Sequence, residues 1–473
     1  MPNQIIIPLI VACALFMENL DSTVISTALP AISIDLHEDP IALKLALTSY
    51  LLTLAVFIPI SGWMADRFGA RTVFRVAIVI FTAGSALCGS ATSLLDFVVY
   101  RIIQGVGGAM MTPVGRLVIV RLVPKHELVS ALAWLVVPAL LGPLIGPPLG
   151  GFITTYFSWR WIFWINIPIG IIGILLATRF IENIREQNVP PLDVRGFVLS
   201  GVGLAGLAFG FTTIGQHFMP PSISLALMAV GTASLFAYVL HARSVPFPLL
   251  DLKLLSIPTF RASVAGGSLF RIGIGALPFL LPLLFQIGFG MSALRSGLLT
   301  FVGAIGAMVM RASAATILRR FGIKRVVLIN TIVAASFIAA CALFRPDTPY
   351  AFIVFVLLVG GFFRALQFTS LNSLAFADLG SSEMSQATSF TSVAQQISIT
   401  AGVAVAALAI EGVRFVRGDV VLAASDFIPA FLVVAVISAS SIFFLLPLPI
   451  DAGASLTALP PAEAPPPESG KEI

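Results

Sequence analysis

Fourteen stretches of this 473-residue chain are long and apolar enough to cross a lipid bilayer, which takes about 20 helical residues. Charged residues make up only 10% of the chain, against roughly 25% in a typical soluble domain. The sequence therefore predicts an all-α membrane protein that crosses the bilayer many times. The predicted spans are 5–30, 45–64, 74–94, 97–119, 129–153, 160–180, 195–215, 222–241, 259–286, 295–317, 325–344, 349–373, 388–411 and 427–447.

The first span carries two carboxylates near its middle, Glu18 and Asp21. A charged group at that depth costs about 2.5 to 3.5 kcal/mol on insertion scales, so it is usually kept because it binds or carries something. Residues three apart lie on one face of a helix. We expect this face to look into a polar cavity inside a helix bundle.

The basic residues predict the orientation of the chain. With both termini in the cytoplasm, 17 of the 27 lysines and arginines fall in cytoplasmic segments and 6 fall outside. Cytoplasmic loops of membrane proteins carry such an excess. The asymmetry requires an even number of spans, so we expect fourteen or twelve. The basic residues within spans are Arg101, Arg271, Arg311 and Arg364.

A weak internal repeat divides the chain into two halves. ADRFGARTV at 65–73 aligns with LRRFGIKRV at 318–326. Two similar halves of six spans are typical of transporters whose halves pack around a central cavity. The spans at 195–215 and 222–241 fall outside the repeat and are interpreted as an inserted pair. The predicted domains are the N-terminal half 1–182, a linker with the two extra spans 183–254, the C-terminal half 255–450 and a disordered cytoplasmic tail 451–473.

A short loop after the second span combines glycines with charged residues: Gly62, Asp66, Arg67, Gly69 and Arg71. The glycines permit a tight turn, while Asp66 can cap a helix start and pair with arginines across the loop. This pattern is unusual for an ordinary charged loop. We interpret it as a gating loop on the cytoplasmic side.

This stretch, GWMADRFGAR, resembles the cytoplasmic loop signature of the major facilitator superfamily. Four further motifs resemble the 14-spanner drug:proton antiporter branch of that family, the EmrB/QacA type. Two shorter stretches, RLVPKHEL and QFTSLNSLAFADL, look most like its MdtD-type permeases. The four motifs are LDSTVISTALPAI at 20–32, RIIQGVGGAMMTP at 101–113, GPLIGPPLGG at 142–151 and WRWIFWINIPIG at 159–170.

The resemblance implies the major facilitator fold, with two six-helix bundles plus two inserted transmembrane helices. It also implies a proton-coupled efflux antiporter for drugs or other small molecules in the bacterial inner membrane, working by alternating access. Asp21 stands at the acidic position of the first-helix motif, and Arg101 and Gln104 stand in the fourth-helix motif. The fifth-helix antiporter motif, which we expect to form a tight seam between the halves, contributes Pro138, Gly142, Pro143, Gly146, Gly150 and Gly151.

The charges within the first and fourth spans suggest how protons are coupled. No neighbour within its own span can neutralise Arg101, so we expect a carboxylate on another helix as its partner, and Asp21 is the candidate. Such a pair could exchange a proton between two conformations, or it could be a static ion pair that locates two helices. Glu18 matches no motif position. It could be a second proton site, a cation-binding group or a water-facing bystander.

The predicted substrate cavity combines flexible apolar side chains with polar groups. Arg271 and Arg364 lie too deep in their spans to reach water easily, so they could pair with Glu18 or with an anionic substrate. Arg311 is interpreted as snorkelling to the cytoplasmic end of its span. The residues predicted to line the cavity are Met17, Glu18, Gln104, Met111, Phe270, Arg271, Arg364, Gln367 and Gln395.

Other function classes find little support. The chain has no GxxxxGK[ST] phosphate loop, which argues against ATP-driven transport, and its histidines and cysteines lack metal-ligand spacing. We expect no enzymatic activity, cofactor, metal site or nucleic-acid partner, and a monomer whose partners are substrate, protons and lipid. Two alternatives stay open: an exporter of endogenous organic anions or metal chelates, and a non-transporting membrane sensor or scaffold.

Overall fold

The computed structural model describes residues 3–123, 128–186, 189–213, 220–380, 383–418, 421–449 and 452–453. For residues 3–5 and 128–140 it describes the backbone alone. Most of the predicted tail, from position 454 onward, lies outside the described residues.

The described chain folds into fourteen long helices, in agreement with the predicted spans. Thirteen of them are long and apolar enough over their described residues to cross a membrane, and α5 has matching length. The helices are α1 Asn3–Leu36, α2 Lys44–Phe68, α3 Ala70–Cys88, α4 Leu94–Leu122, α5 Leu128–Tyr156, α6 Trp161–Phe180, α7 Val194–Thr213, α8 Pro221–Ser244, α9 Pro258–Gly288, α10 Ala293–Phe321, α11 Ile323–Leu343, α12 Tyr350–Ala375, α13 Met384–Arg417 and α14 Ala424–Leu445.

The same packing pattern occurs twice. In the first half α1 packs along α5, and α4 packs on both α2 and α3. In the second half α9 packs along α13, and α12 packs on both α10 and α11. The two six-helix halves, α1–α6 and α9–α14, therefore have the same internal arrangement. This is the structural counterpart of the weak sequence repeat.

Two helix pairs join the halves, α5 with α10 and α2 with α13. In each pair the second helix of one half packs on the fifth helix of the other half. This is expected for two repeats related by a pseudo-twofold axis. The inserted α7 and α8 pack mainly on each other, and α7 also contacts α2 and α13. They lie beside the bundle rather than inside it.

The helices alternate in direction, so the connections lie on two opposite faces. We call the face with the loop Gly62–Arg71 the loop face, and the face with the connection between α1 and α2 the far face. The turn from α10 to α11, at Gly322, lies on the loop face as well. On the loop face the ends of the two halves stand apart around a cavity, whereas on the far face they are in contact.

Candidate functional site

A buried polar network surrounds Asp21 in the first half. Arg101, only 1% exposed, donates from Nη1 to Asp21 Oδ2 at 2.6 Å and to Gln104 Oε1 at 2.7 Å. Gln104 Nε2 and Asn166 Nδ2 both donate to Asp21 Oδ1, at 2.8 and 3.2 Å. Each carboxylate oxygen thus has a strong donor inside the membrane region. We call these four residues the Asp21 network.

Four helices converge to build this network. Asp21 comes from α1, Arg101 and Gln104 come from α4, and Asn166 follows a break in α6 at Ile165. From α2, Tyr50 covers the guanidinium, with its ring centre 4.1 Å from Arg101 Cζ. An arginine paired with a carboxylate and covered by an aromatic ring is tolerable in a low-dielectric interior, where a lone charge is not.

A cavity of about 1150 Å³ lies between the halves and opens at the loop face. Helices α1, α2, α4 and α5 contribute to one wall and α10, α12 and α13 to the other. The volume is ample for a drug-sized molecule. Its polar lining inside the bundle includes Glu18, Asn19, Thr112, Arg116, Arg311, Asn372, Gln395 and Gln396.

Glu18 lines this cavity, three residues before Asp21 on α1. Its carboxylate accepts one hydrogen bond, from Thr112 Oγ1 at 2.6 Å. The structure therefore places one carboxylate in the cavity and the other, Asp21, just behind its wall. Among the described residues no metal-binding group of three or more His, Cys, Asp or Glu occurs.

Three predicted apolar lining residues lie elsewhere. Met17 and Met111 belong to the core of the first half, and Phe270 belongs to a core of the second half; each is at most 1% exposed. Successive helical residues point about 100° apart. Because Glu18 and Thr112 face the cavity, their preceding neighbours Met17 and Met111 turn into the core. The prediction that these side chains line the cavity is wrong.

The predicted lining glutamines have different positions. Gln395 lies in the cavity wall, as expected. Gln104 is held in the Asp21 network, and Gln367 is fully buried, where Nε2 donates to the Val327 carbonyl and to Thr331 Oγ1. Neither of these two reaches the cavity, because buried amides find partners on neighbouring helices.

The two deep arginines of the second half also do not line the cavity. Arg271 is 2% exposed and lies behind two lining residues: its Nη2 donates to Asn372 Oδ1 at 2.7 Å, and its guanidinium carbon lies 5.5 Å from the Phe368 ring centre. Its Nε has no hydrogen-bond partner within the described part of the chain. Arg271 is thus a buried cation one layer from the cavity.

Arg364 is packed between α10 and α12. Built Cβ atoms at Gly303 and Gly360 would lie 3.2 and 3.0 Å from its guanidinium nitrogens, so both glycines make room for it. Neither Arg364 nor Arg271 has a carboxylate within 4 Å among the residues the structure describes. Arg311, interpreted from sequence as snorkelling to the cytoplasmic end, is exposed and lines the cavity, which opens at the loop face.

The loop Gly62–Arg71 is held within the first half. Arg121 Nη2 donates to Asp66 Oδ1 at 2.6 Å and to Glu186 Oε1 at 3.0 Å. Gly62 and Asp66 line the cavity mouth, while Arg67 is exposed. The arginine partner expected for Asp66 thus comes from the end of α4. Among the described residues, the loop forms no ion pair with the second half.

The chain after α6 packs against the same loop. Arg71 Nη1 donates to the Ile181 carbonyl at 3.3 Å, and Asn183 Oδ1 accepts from the backbone N–H of Thr72 at 3.2 Å. Gly69 connects α2 and α3 with φ +94°, and its Cα lies directly against Asn183. The loop is therefore clamped by its own half.

Asp193, just before α7, lies at the cavity mouth. Burial alone would raise the pKa of its carboxyl. The hydrogen bonds from His241 Nε2 at 2.7 Å and from the backbone N–H groups of Gly196 and Leu249 outweigh burial, so the pKa lies below its ordinary value. Asp193 is therefore ionised at neutral pH and ties the start of α7 to the end of α8.

The motif glycines of α5 face two different helices. Built Cβ atoms at Gly142, Gly146 and Gly150 would lie 2.8, 2.1 and 2.6 Å from atoms of α1, in the same half. At Gly151 the nearest atom, at 2.4 Å, is the Ala293 carbonyl oxygen of the other half. The seam between the halves thus involves the end of α5. Pro143 lines the cavity, and the side chain of Pro138 lies outside the described residues.

Sequence reasoning missed several residues of the site. Tyr50 and Thr112 carry no charge, so nothing in the sequence distinguishes them from packing residues. Asn166 lies directly after the break in α6, and its side chain donates to Asp21 Oδ1 and to Ser85 Oγ. An asparagine within an apolar span is a signal for such buried partners. Lys44 and Glu411, assigned to or near loops, form a buried ion pair between the halves at 2.8 Å.

Comparison with known proteins identifies the family. A profile of the Major Facilitator Superfamily matches residues 11–403. The chain belongs to the major facilitator superfamily. This major facilitator protein is therefore a multi-pass transport protein rather than an enzyme, and its two six-helix halves with two additional helices agree with the fold predicted from the sequence.

Its sequence relatives are similar over most of their length. A protein of Pectobacterium atrosepticum named as multidrug resistance protein MdtD is 39% identical over 399 residues, covering 84% of this chain and 85% of the relative. One of the same name from Escherichia fergusonii is 37% identical over 445 residues, covering 93% and 94%. The predicted resemblance to MdtD-type permeases is confirmed.

Solved structures share the fold at low sequence identity. A D-xylose–proton symporter superposes with a TM-score of 0.68 at 15% identity, covering 95% of this chain and 98% of the other. The nucleoside transporter NupG gives a TM-score of 0.63 at 16% identity, covering 93% and 99%.

Proposed function

We propose that this transporter is a proton-coupled efflux antiporter for drugs and other small molecules. Its relatives carry the name multidrug resistance protein, and its cavity mixes polar groups with apolar walls. The excess of basic residues on the loop face supports a cytoplasmic position for that face and for both termini in a bacterial inner membrane. The structure then corresponds to a state open to the cytoplasm, from which an exporter loads substrate.

The observation that carries the proposal is the pairing of Asp21 with Arg101 one helical turn from Glu18. Glu18 is in contact with the cavity and is held by a single hydroxyl, so protons and substrates reach it directly. Asp21 is enclosed by three donors, so a proton can reach it only if the network rearranges. We propose that Glu18 exchanges with the cavity and that Asp21 couples its protonation to movement of α1, α4 and α6.

Transport in proteoliposomes with an imposed pH gradient tests the proposal. The probes are ethidium, as a fluorescent lipophilic cation, and a pH-sensitive dye that reports proton flux. We expect Asp21→Asn to reduce coupled transport to the level of empty liposomes, because the amide cannot release a proton. Glu18→Gln should also reduce proton flux, since it removes the carboxylate that contacts the cavity.

The matched control is Asp35→Asn, which removes a partly exposed carboxylate that pairs with Arg160 at the far face. It should leave ethidium and proton flux near the wild-type rates. Full coupled transport by Asp21→Asn, in protein that purifies and folds normally, would contradict the assigned role of Asp21.

A second candidate function, export of organic anions or metal chelates, is favoured by Arg271. This cation is buried without a carboxylate partner among the described residues, and Asn372 and Phe368 separate it from the cavity. A buried positive charge is stabilised by an arriving anion. Here the expectation is loss of organic-anion or metal-chelate transport in Arg271→Ala, with no gain of drug tolerance when the wild type is expressed. Unchanged anion transport in this variant would remove the candidate.

A further inference from the structure

Arg364 is a cation without a protein counterion inside the second half. No hydrogen bond joins its guanidinium to any residue that the structure describes, and its Nη1 atom is buried. An arginine side chain does not release its proton in proteins, so the positive charge stays. Within a membrane protein, a charge that has left water without a partner is strongly unfavourable. The guanidinium therefore needs a negative group beside it.

The helices around Arg364 do not contain such a group. Helix α12 packs on α9, α10 and α11, and no aspartate or glutamate occurs in these four helices. The described parts of α13 and α14 contain one carboxylate each, Glu411 and Asp426, both at the far-face end. Glu411 lies 2.8 Å from Lys44, and Asp426 is bound to Arg417. The second half thus offers Arg364 no carboxylate at its depth.

The contacts between the second and fourth helices of each half show which positions correspond. A Cβ at Gly105 would lie 3.1 Å from the Tyr50 carbonyl oxygen, and a Cβ at Gly361 would lie 2.1 Å from the Gly303 carbonyl oxygen. Position 361 therefore corresponds to position 105. Position 303 corresponds to position 50, with the same offset as in the loop repeat.

Two residues beside the Asp21 network are replaced by glycines in the second half. Gly303 stands for Tyr50, and Gly360 stands for Gln104, one position before the helix contact. Built Cβ atoms at these glycines would lie 3.2 and 3.0 Å from guanidinium nitrogens of Arg364. The guanidinium therefore lies in the region where the first half has an aromatic ring and an amide.

The two halves differ in charge in this region. In the first half one cation, Arg101, is neutralised by one carboxylate, Asp21. In the second half the cation is present and the carboxylate is not. Arg271, the other deep cation there, is hydrogen-bonded to Asn372 in the cavity wall. A single negative charge beside Arg364 would restore the balance that the first half has.

A small ion can approach Arg364 from the cavity. On α12, Arg364 lies four residues before Phe368 and eight before Asn372, so the three share one side of the helix. Phe368 and Asn372 line the cavity, whereas Arg364 is half-buried and lies beyond this lining. Because the Phe368 ring comes first along this side, we expect it to stop bulky organic molecules.

We propose that Arg364 binds a small monovalent inorganic anion such as chloride, between α10, α11 and α12. The guanidinium supplies charge-assisted hydrogen bonds, and the Cys341 thiol at the end of α11 is close enough to interact electrostatically with the same guanidinium. One cation balances one negative charge, so a divalent anion would leave a net charge in the bundle. The site goes beyond the proposed antiport activity, because this ion neutralises a helix bundle and is not the exported substrate.

Thermal unfolding of the full-length protein in detergent tests the site. Chloride is compared with gluconate, a bulky monovalent organic anion, at equal ionic strength. A ligand that binds only the folded state raises the unfolding temperature as its concentration rises. The midpoint should therefore increase with added chloride and stay constant with added gluconate. Radioactive chloride retained by the purified protein measures binding directly, so the result does not depend on which substrate is transported.

Two variants separate ion binding from folding. Arg364→Gln removes the cation without leaving a lone charge, so in gluconate it should unfold at or above the wild-type temperature. It should show no response to chloride and should bind chloride at least about tenfold more weakly than the wild type. Cys341→Asp supplies a carboxylate of similar size beside the guanidinium. This variant should be as stable in gluconate as in chloride.

Arg345→Gln is the matched control at the far face. Its Nη1 atom already donates to the carbonyl oxygens of Ala342 and Phe344, so Arg345 needs no bound anion. The variant should keep the chloride response of the wild type. The proposal is wrong if wild-type midpoints agree in chloride and gluconate, or if Arg364→Gln keeps the response. A response that is also lost in Arg345→Gln would equally contradict a site at Arg364.

Discussion

Gly69 and Gly322 occupy equivalent positions in the two halves, each at the turn after the second helix of its half. Both have positive φ, +94° and +75°, a conformation that is strained for any residue with a Cβ. Their surroundings differ. A Cβ at Gly69 would lie 2.2 Å from Asn183 Oδ1, whereas a Cβ at Gly322 would meet nothing within 4 Å.

This difference gives a residue-scale prediction. Gly322→Ala should cost only backbone strain, about 1 to 3 kcal/mol. Gly69→Ala should cost more, because it also displaces the side chain that caps α3. The measurement is the thermal unfolding midpoint in detergent, which should fall in the order wild type, Gly322→Ala, Gly69→Ala. Replacing Asn183 by alanine in the Gly69→Ala background should recover part of the loss, and equal midpoints for the two glycine variants would refute the steric argument.

The buried charges show what residue-level reasoning could predict. Arg101 needed a carboxylate from another helix, and only Glu18 and Asp21 lay deep in a span, so their pairing was accessible from the sequence. The burial of Lys44 was not accessible from the sequence. Hydropathy starts the second span at position 45 and therefore assigns this lysine to a loop. Its burial results from packing between the halves, which no single span encodes.

At the scale of helices, hydropathy predicted that each helix exists and its approximate length. It did not predict which face of a helix points to the cavity and which to the core. Spans in a bundle are apolar on most sides, so the periodicity that marks the buried face of a soluble helix is weak. The sequence therefore could not show that Glu18 faces the cavity while Met17 faces the core. It also could not show that three motif glycines of α5 face α1, because close approach depends on the partner helix.

The contact between α5 and α10 gives an element-scale prediction. A Cβ at Gly297 would lie 2.2 Å from the Pro147 carbonyl oxygen, a backbone atom that cannot rotate away. Gly297→Ala should therefore push the halves apart near the far face and cost about 1 to 3 kcal/mol through overpacking. Gly412→Ala, a helical glycine with nothing within 4 Å, gains helix propensity without a clash and should unfold at or above the wild-type temperature. A Gly297→Ala midpoint equal to that of Gly412→Ala would show that the seam is not tightly packed.

For the whole molecule, the repeat and the motif order predicted two six-helix halves with an inserted pair, because both features are written along the chain. The conformational state was not predictable, since one sequence must support both an open loop face and an open far face. In this structure the balance is set by contacts between the halves. On the far face they include the Lys44–Glu411 pair and the hydrogen bond from Gln286 Nε2 to the Thr27 carbonyl at 3.0 Å.

Access to the cavity from one face gives the whole-molecule prediction. With the native cysteines replaced by alanine, Gln395→Cys places a thiol in the cavity wall and Ser90→Cys places one on the far face. A membrane-impermeant thiol reagent should modify Gln395→Cys at least about tenfold faster in everted than in right-side-out vesicles, because the far-face-open state is a minor population. Ser90→Cys should show the reverse order.

Faster labelling of Gln395→Cys in right-side-out vesicles, with Ser90→Cys also reversed, would mean that the loop face is extracytoplasmic. Equal rates for Gln395→Cys in both preparations would mean that the two open states are similarly populated without substrate.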